Sequence, residues 1–166
     1  MKRIIVIGCP GSGKSTFSKA LHRNTGIPLY HLDMMYWNED KTTVEKRVFL
    51  ERLSDVLQKD EWIIDGNYAS TMELRLDKCD SVFFLDLPTD VCLAGIQERR
   101  GKARSDIPWI ETEDDEDFIE FIKTFKEQQK PQILKLLQKN KDKGIFIFSS
   151  REESAAFLNA MQRNAE

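Results

Sequence analysis

Short continuous apolar runs alternate along this chain with longer stretches in which apolar positions recur every three or four residues. Ile4, Ile5, Val6 and Ile7 form an unbroken β-branched run, the pattern of a strand buried on both faces. Residues 15–23 follow as a helix, and a second strand is expected over 27–32, after Gly26. Apolar residues at 44, 48, 49, 53, 56 and 57 have helical spacing. Residues 62–64 read as a third strand, 71–78 as a short helix, 82–87 as the fourth and most hydrophobic strand, and 90–100 as a helix. Residues 101–114 are polar and read as a loop. Phe118, Ile119, Phe121, Ile122 and Phe125 make a broad apolar helical face, continued by Ile133, Leu134, Leu136 and Leu137, with Pro131 expected to kink or split the helix. A fifth strand over 145–148 and a helix over 155–161 close the pattern.

Strand and helix thus alternate five times, which argues an α/β fold with a parallel sheet and helices on both faces. No internal repeat, low-complexity segment or linker interrupts the pattern, so residues 1–166 read as a single domain.

Composition narrows the function classes. The net charge is −3, and the nearest approach to a charge run is acidic, between Glu111 and Asp117. A nucleic-acid binder would present a basic face, so no nucleic-acid partner is expected. The three cysteines, Cys9, Cys79 and Cys92, are scattered and odd in number, without disulfide or metal-ligand spacing. Lys2 and Arg3 precede only four apolar residues, too few for a signal-peptide core or a membrane span. The expectation is a cytoplasmic protein without a membrane partner, monomeric or weakly dimeric.

The first strand runs into a chemically specific segment. Residues 8–15 satisfy G-x-x-x-x-G-K-S in full, between a buried strand and a helix. A triphosphate is a dense polyanion, and backbone N–H groups must converge on it. Gly8, Gly11 and Gly13 allow the required turn, while Pro10 stiffens it and Ser12 lies within it. The helix start adds unpaired amides and a positive dipole end. In this reading Lys14 reaches the β- and γ-phosphates of ATP, the Ser15 hydroxyl ligates Mg²⁺, and Thr16 touches the α-phosphate. Cys9 carries no assigned chemistry.

Ligands of open α/β sheets bind beyond the carboxyl ends of the strands, where Asp33, Asp65 and Asp86 fall. Asp65 suits the orientation of Mg²⁺-bound water. Asp33 suits acceptance of a proton from an acceptor hydroxyl, or a hold on that acceptor. Asp86 reads as a helix-start or packing residue. Positive charge over a transferred phosphate is expected from Arg99 and Arg104, at a helix end and in the polar loop. Arg75 is a candidate to hold an acceptor anion, and Arg151 to lie near the nucleotide base. Tyr36 and Tyr68 fall where an acceptor would dock, whereas His22 and His31 read as ordinary partly exposed residues.

These blocks carry a resemblance. Residues 4–16, 62–66 and 82–88 leading to Glu98, Arg99 and Arg100 resemble the adenylate-kinase-like nucleoside and nucleotide kinases of the P-loop class. Within it, residues 31–37, 62–68, 131–134 and 148–151 look like the group named DNA topology modulation proteins of the FlaR type. The resemblance implies a three-layer P-loop kinase fold with strand order 2-3-1-4-5, an acceptor-binding region over about 34–60 and a short lid over about 100–115. It also implies the Mg²⁺-water position for Asp65 and a lid-hinge position for Arg99. Two places depart from adenylate kinases: Gly95 stands where they have an arginine, and Tyr68-Ala69 where they have Pro-Arg. The nucleoside-monophosphate grip is therefore not reproduced, which leaves the small-molecule phosphate acceptor open. The expected function is ATP-dependent phosphoryl transfer. The alternative is an ATP-binding regulatory module that engages a protein or DNA partner with little chemistry.

Overall fold

A computed structural model describes residues 1–113 and 115–163. Asp114, within both the expected lid and the acidic stretch, lies outside the described residues, as does the end of the single domain expected over 1–166.

Five parallel strands form one sheet: β1 (Arg3–Gly8), β2 (Leu29–His31), β3 (Trp62–Asp65), β4 (Ser81–Leu85) and β5 (Gly144–Phe148). Their spatial order is β2-β3-β1-β4-β5. β1, β3 and β4 are central, and from Ile4 to Ile7, Trp62 to Ile64 and Ser81 to Leu85 almost nothing is exposed. Each fully buried Ile or Phe contributes roughly 1.5–3 kcal/mol of hydrophobic free energy, so these runs hold the sheet's centre. β5 is an edge, and Phe146 and Ile147 reach solvent there.

The helices are α1 (Lys14–Thr25), α2 (Leu32–Tyr36), α3 (Lys46–Leu57), α4 (Ala69–Lys78), α5 (Thr89–Arg99), α6 (Glu116–Gln128), α7 (Lys130–Lys139) and α8 (Arg151–Arg163). Phe17 of α1 meets Phe83 of β4 at a centroid distance of 5.1 Å, and Phe157 of α8 meets Phe83 at 5.2 Å. Gln129 ends α6 and starts α7, with Pro131 in the first turn of α7; a proline is tolerated there but cannot continue α6 unbroken.

Among the boundaries that differ from the sequence reading, those of the second and fourth strands bear on the site. The second strand begins at Leu29, because Pro28 has no N–H for the ladder, and ends at His31. The chain then turns into the unforeseen α2. Between α2 and α3 it forms a small hairpin: Trp37 bridges Thr43, and the Val44 amide donates to the Tyr36 carbonyl at 2.9 Å. The fourth strand stops at Leu85, and Asp86 turns aside to pair with Lys130 at 2.6 Å.

The acidic stretch also resolves into separate tasks. Asp115 caps α6, accepting from the amides of Asp117 and Phe118 at 3.0 and 3.2 Å, while Glu111 pairs with arginines.

Candidate functional site

The carboxyl ends of β1, β2 and β3 converge. Val6 lies beside Asp65 in the β1–β3 ladder, and His31 lies beside Asp65 in the β2–β3 ladder. The phosphate loop leaves β1 at Gly8, two residues beyond Val6.

The loop's shape depends on close approach. Gly11 has φ +82°, and a Cβ there would stand 2.0 Å from the Cys92 carbonyl oxygen of α5. Gly95, one turn further along α5, meets the same loop: its Cβ would lie 2.2 Å from the Gly11 oxygen. The departure at Gly95 noted above is thus the contact that lets α5 press against the loop. Gly13, φ +94°, launches α1, whose first amides have no helical acceptor and face outward for an anion.

Lys14 donates to the carbonyls of Gly8 at 2.9 Å and Cys9 at 3.3 Å, folding its ammonium back over the loop. Burial lowers its pKa, opposed chiefly by Asp65 and also by Asp33, with Arg99 adding to the depression. The glycine-rich loop, both strand-end carboxylates and Arg99 therefore lie in one electrostatic neighbourhood. Ser15 Oγ is buried and makes no hydrogen bond among the described residues. An unsatisfied hydroxyl at the helix start fits a magnesium ligand bound with a triphosphate. The described residues contain no cluster of three or more histidine, cysteine or carboxylate side chains ready to hold a metal.

Asp65 is 6 % exposed, and both its oxygens lie within 2.9 Å of His31 Nδ1. An ionised carboxylate only accepts, so this nitrogen carries the proton. His31 is consequently a correction: it orients Asp65 rather than resting as an ordinary surface residue.

Asp33 sits in α2 and accepts a 2.5 Å hydrogen bond from the Tyr68 hydroxyl. Burial raises the Asp33 carboxyl above its ordinary range, against the opposing effects of Tyr68 and Lys14. Burial also raises the Tyr68 phenol, as does the adjacent Asp33. Tyr36 lies edge-on to Tyr68 at 5.2 Å and to Trp37 at 5.2 Å, and Trp37 lies edge-on to Trp109 at 5.4 Å. Trp109 belongs to the segment after α5, so that segment leans over the region after β2.

Arg99 and Arg104 meet on Glu111. Arg99 Nε is 2.7 Å from Glu111 Oε2 and Nη2 is 3.0 Å from Oε1, while Arg104 Nη1 donates to Oε2 at 2.9 Å. Arg104 also grips Asp106 with a two-pronged fork, Nε to Oδ1 at 2.9 Å and Nη2 to Oδ2. Burial acts to raise Asp106, but the Arg104 guanidinium holds it below the ordinary carboxylate range.

Two further candidates have the following partners. Arg75, a candidate for an acceptor anion, is fully buried. Its guanidinium donates to the carbonyls of Gly66, Asn67 and Tyr68 and to Thr71 Oγ1, so four of its five N–H groups are engaged inside the fold. Burial lowers its pKa to about 10, so it stays charged near neutrality. Arg151 reaches the Gly11 carbonyl at 3.4 Å from the α5 side and lies 3.7 Å from Glu98. Pro10 lies in the loop, and Thr16 is exposed in the first turn of α1.

Asn67 was missed by the sequence reading. It donates from Nδ2 to the Gly8 carbonyl and accepts the Gly8 amide on Oδ1. The residue has no local signature, because its partner is brought in by the sheet.

No family model matches the chain. A stretch of 88 residues, 52 % of this chain, is 27 % identical to an adenylate kinase of Thermotoga neapolitana, of which it covers 39 %. A second adenylate kinase of Thermotoga neapolitana matches equally. The chain thus spans about two fifths of the length of the curated relatives it matches. Among solved structures, shikimate kinase from Acinetobacter baumannii in complex with shikimate aligns with a TM-score of 0.63 at 14 % identity, over 99 % of this chain and 94 % of that one. Shikimate kinase from Bacteroides thetaiotaomicron aligns with a TM-score of 0.56 at 20 % identity, over 99 % and 98 %. Sheet order, helices on both faces and these alignments give the chain the fold of the P-loop kinases, and its neighbours support a P-loop kinase-like class.

Proposed function

We propose that this protein transfers the γ-phosphoryl group of ATP to the hydroxyl of a small-molecule acceptor. The observation that supports the reading is the convergence of the glycine-rich loop with both strand-end carboxylates: Val6 lies beside Asp65 in the β1–β3 ladder, and the turn after Asp65 ties Asn67 to Gly8 and Tyr68 to Asp33.

Ser15, directly, and Asp65, through water, would hold Mg²⁺, which would neutralise charge on the phosphates. Lys14 leaves its loop carbonyls for phosphate oxygens. Arg99 and Arg104 exchange Glu111 for the charge that develops on the transferred group, and the segment bearing them excludes water. Asp33 takes the hydroxyl proton, a role its raised pKa favours. Tyr36 and Tyr68 flank the acceptor. Two of the four blocks that carry the FlaR-type likeness, 31–37 and 62–68, surround Asp33 and Asp65, so that likeness supports a shared acceptor region.

The test is ³¹P NMR of the full chain with Mg-ATP and a panel of hydroxyl compounds. A new phosphate ester formed one-for-one with ADP is expected. Tight nucleotide binding without any ester would favour the regulatory-module alternative.

A further inference from the structure

The two edges of the sheet are finished differently. β2 is three residues long, follows Pro28 and has the Lys59 ammonium 5.0 Å from the ring centroid of Tyr30. Shortness, proline and lysine all discourage an edge strand from pairing further. β5 is Gly-Ile-Phe-Ile-Phe, with neither proline nor charge, and among the described residues it pairs only with β4. Phe146 is 36 % and Ile147 47 % exposed, so this edge is apolar and open.

Hydrogen bonds show which backbone groups face outward. In a parallel ladder a residue turns its N–H and C=O to one side, and the next residue turns them to the other. The Gly144 amide donates to the Asp80 carbonyl at 2.9 Å, and the Phe148 carbonyl accepts from the Asp86 amide at 2.8 Å. Gly144, Phe146 and Phe148 therefore face β4, and Ile145 and Ile147 present their backbone groups to the open side. The chain itself closes both ends of that side: the Lys143 amide donates to the Asn140 carbonyl, and the Ser149 amide to the Glu153 carboxylate. What remains is a short ladder, symmetric about Phe146.

We propose that a second copy of this chain pairs with β5, antiparallel and about a two-fold axis at Phe146, so that one sheet runs through both copies. In this register Ile145 stands opposite the partner's Ile147, and Ile147 opposite the partner's Ile145. Each such pair exchanges both N–H···O bonds, so every free backbone group of the two residues is used. A shift by one pair would call on the Lys143 or Ser149 amide, which is already engaged. Ile145 and Ile147 share one face and pack on their counterparts. Phe146 lies on the other face, held by Phe83 at 5.0 Å and Phe157 at 5.1 Å, and meets the partner's Phe146 across the axis.

Charge selects the same orientation. Exposed Lys139 and Lys141 precede β5, while exposed Glu152 and Glu153 follow it, with Arg151 turned towards Glu98 at 3.7 Å. Antiparallel pairing sets each basic end beside the other copy's acidic end, whereas parallel pairing would set like charges together. The interface is smaller than the about 1,600 Å² of a standard one, so the dimer forms at high chain concentration.

The test is sedimentation equilibrium of the full chain. Passage from monomer to dimer with rising concentration is expected. Monomer up to about 1 mM, or an open polymer, overturns the proposal. Phe146→Cys places two thiols on the axis, where a Cα separation of about 4.5 Å lies within disulfide range. With diamide as oxidant it should give a linked dimer on a non-reducing gel. Ile147→Cys, displaced from its own counterpart, should give little, and wild type, whose cysteines are buried, none. Linkage through Ile147→Cys with none through Phe146→Cys overturns the register. Ile147→Pro deletes an outward amide and leaves the bonds to β4 in place. Each copy loses one bond, so association should weaken at least about tenfold, with a monomer thermal midpoint near wild type. Undiminished association of that variant overturns the proposal. Lys139→Glu with Lys141→Glu should weaken self-association about tenfold, and mixing with the Glu152→Lys, Glu153→Lys chain should restore pairing. Failure of the mixture to pair better than either chain alone removes the antiparallel orientation.

Discussion

Asn67 and Gly8, 59 positions apart, exchange two hydrogen bonds: the Gly8 amide donates to Asn67 Oδ1 at 3.0 Å, and Asn67 Nδ2 donates to the Gly8 carbonyl at 2.7 Å. The same carbonyl receives Lys14 Nζ. The start of the phosphate loop is therefore fixed from β3, across the sheet, as well as from its own strand. Asn67→Ala would leave part-buried peptide groups unpaired, at a cost of about 1–3 kcal/mol. The expected outcome is a KM for Mg-ATP raised about tenfold or more, with a lower thermal midpoint. Asn67→Asp keeps the acceptor, loses the donor and should fall between. Wild-type KM in Asn67→Ala would show that the loop holds its shape unaided.

Lys14→Ala removes the ammonium that now bridges Gly8 and Cys9 and that the proposed reaction moves onto phosphate oxygens. Turnover is expected to fall by about 10²–10³, the typical loss for one donor at a charged transition state. Full phosphotransfer by this variant would reject the mechanism.

Asp33 gives a prediction in which activity and stability move in opposite directions. Its folded-state pKa lies above the ordinary 3.8, because burial disfavours the ionised form. A carboxyl raised in this way stabilises the fold while protonated, below 3.8, and that contribution is lost as pH rises through the folded value. Asp33→Asn mimics the neutral form and can still accept from Tyr68. Its thermal midpoint should match wild type near pH 3.5 and exceed it at pH 8. Its turnover should fall by about 10²–10⁴, the range for loss of a general base. In wild type, kcat/KM should fall on the acid side as Asp33 protonates. A midpoint below wild type at pH 8 would contradict the assignment of burial as the dominant influence.

Arg75 separates a structural from a binding role. Arg75→Met keeps bulk but strips the donors from three carbonyls of the 65–68 turn. Leaving a buried carbonyl unpaired costs about 1–3 kcal/mol, so urea unfolding should shift to lower concentration. Were Arg75 instead an acceptor ligand, acceptor KM would rise and the unfolding midpoint would stay in place.

Local signals made the strand, glycine-rich turn and helix over residues 3–25 and the order of elements legible. The run from Ile4 to Ile7 and the glycines that follow are contiguous, so strand, loop and helix start could be read together. α2 was hidden because 27–32 is continuous in its apolar character, while Pro28 and the turn at Leu32 cut the strand to three residues. The His31–Asp65 bond depends on the register of β2 against β3, which no local window contains. Arg75 did have a signal. Thr71, Met72, Arg75 and Leu76 form the buried face of α4, and that spacing alone places Arg75 inward. Glu111 was submerged in an acidic run whose members divide between capping and ion pairing only once α5 and α6 are set side by side.

The turn from Asp65 to Tyr68 sets three constraints within four consecutive residues: a carboxylate on His31, an amide on Gly8 and a phenol on Asp33. Arg75 bolts that turn from below. In the proposed reaction the donor and acceptor halves would share a single mount, and a lineage that drifted here would disturb both at once. Diversification towards new acceptors has a freer route through Trp37 and Trp109, which lean on the mount from outside and can be exchanged without moving it.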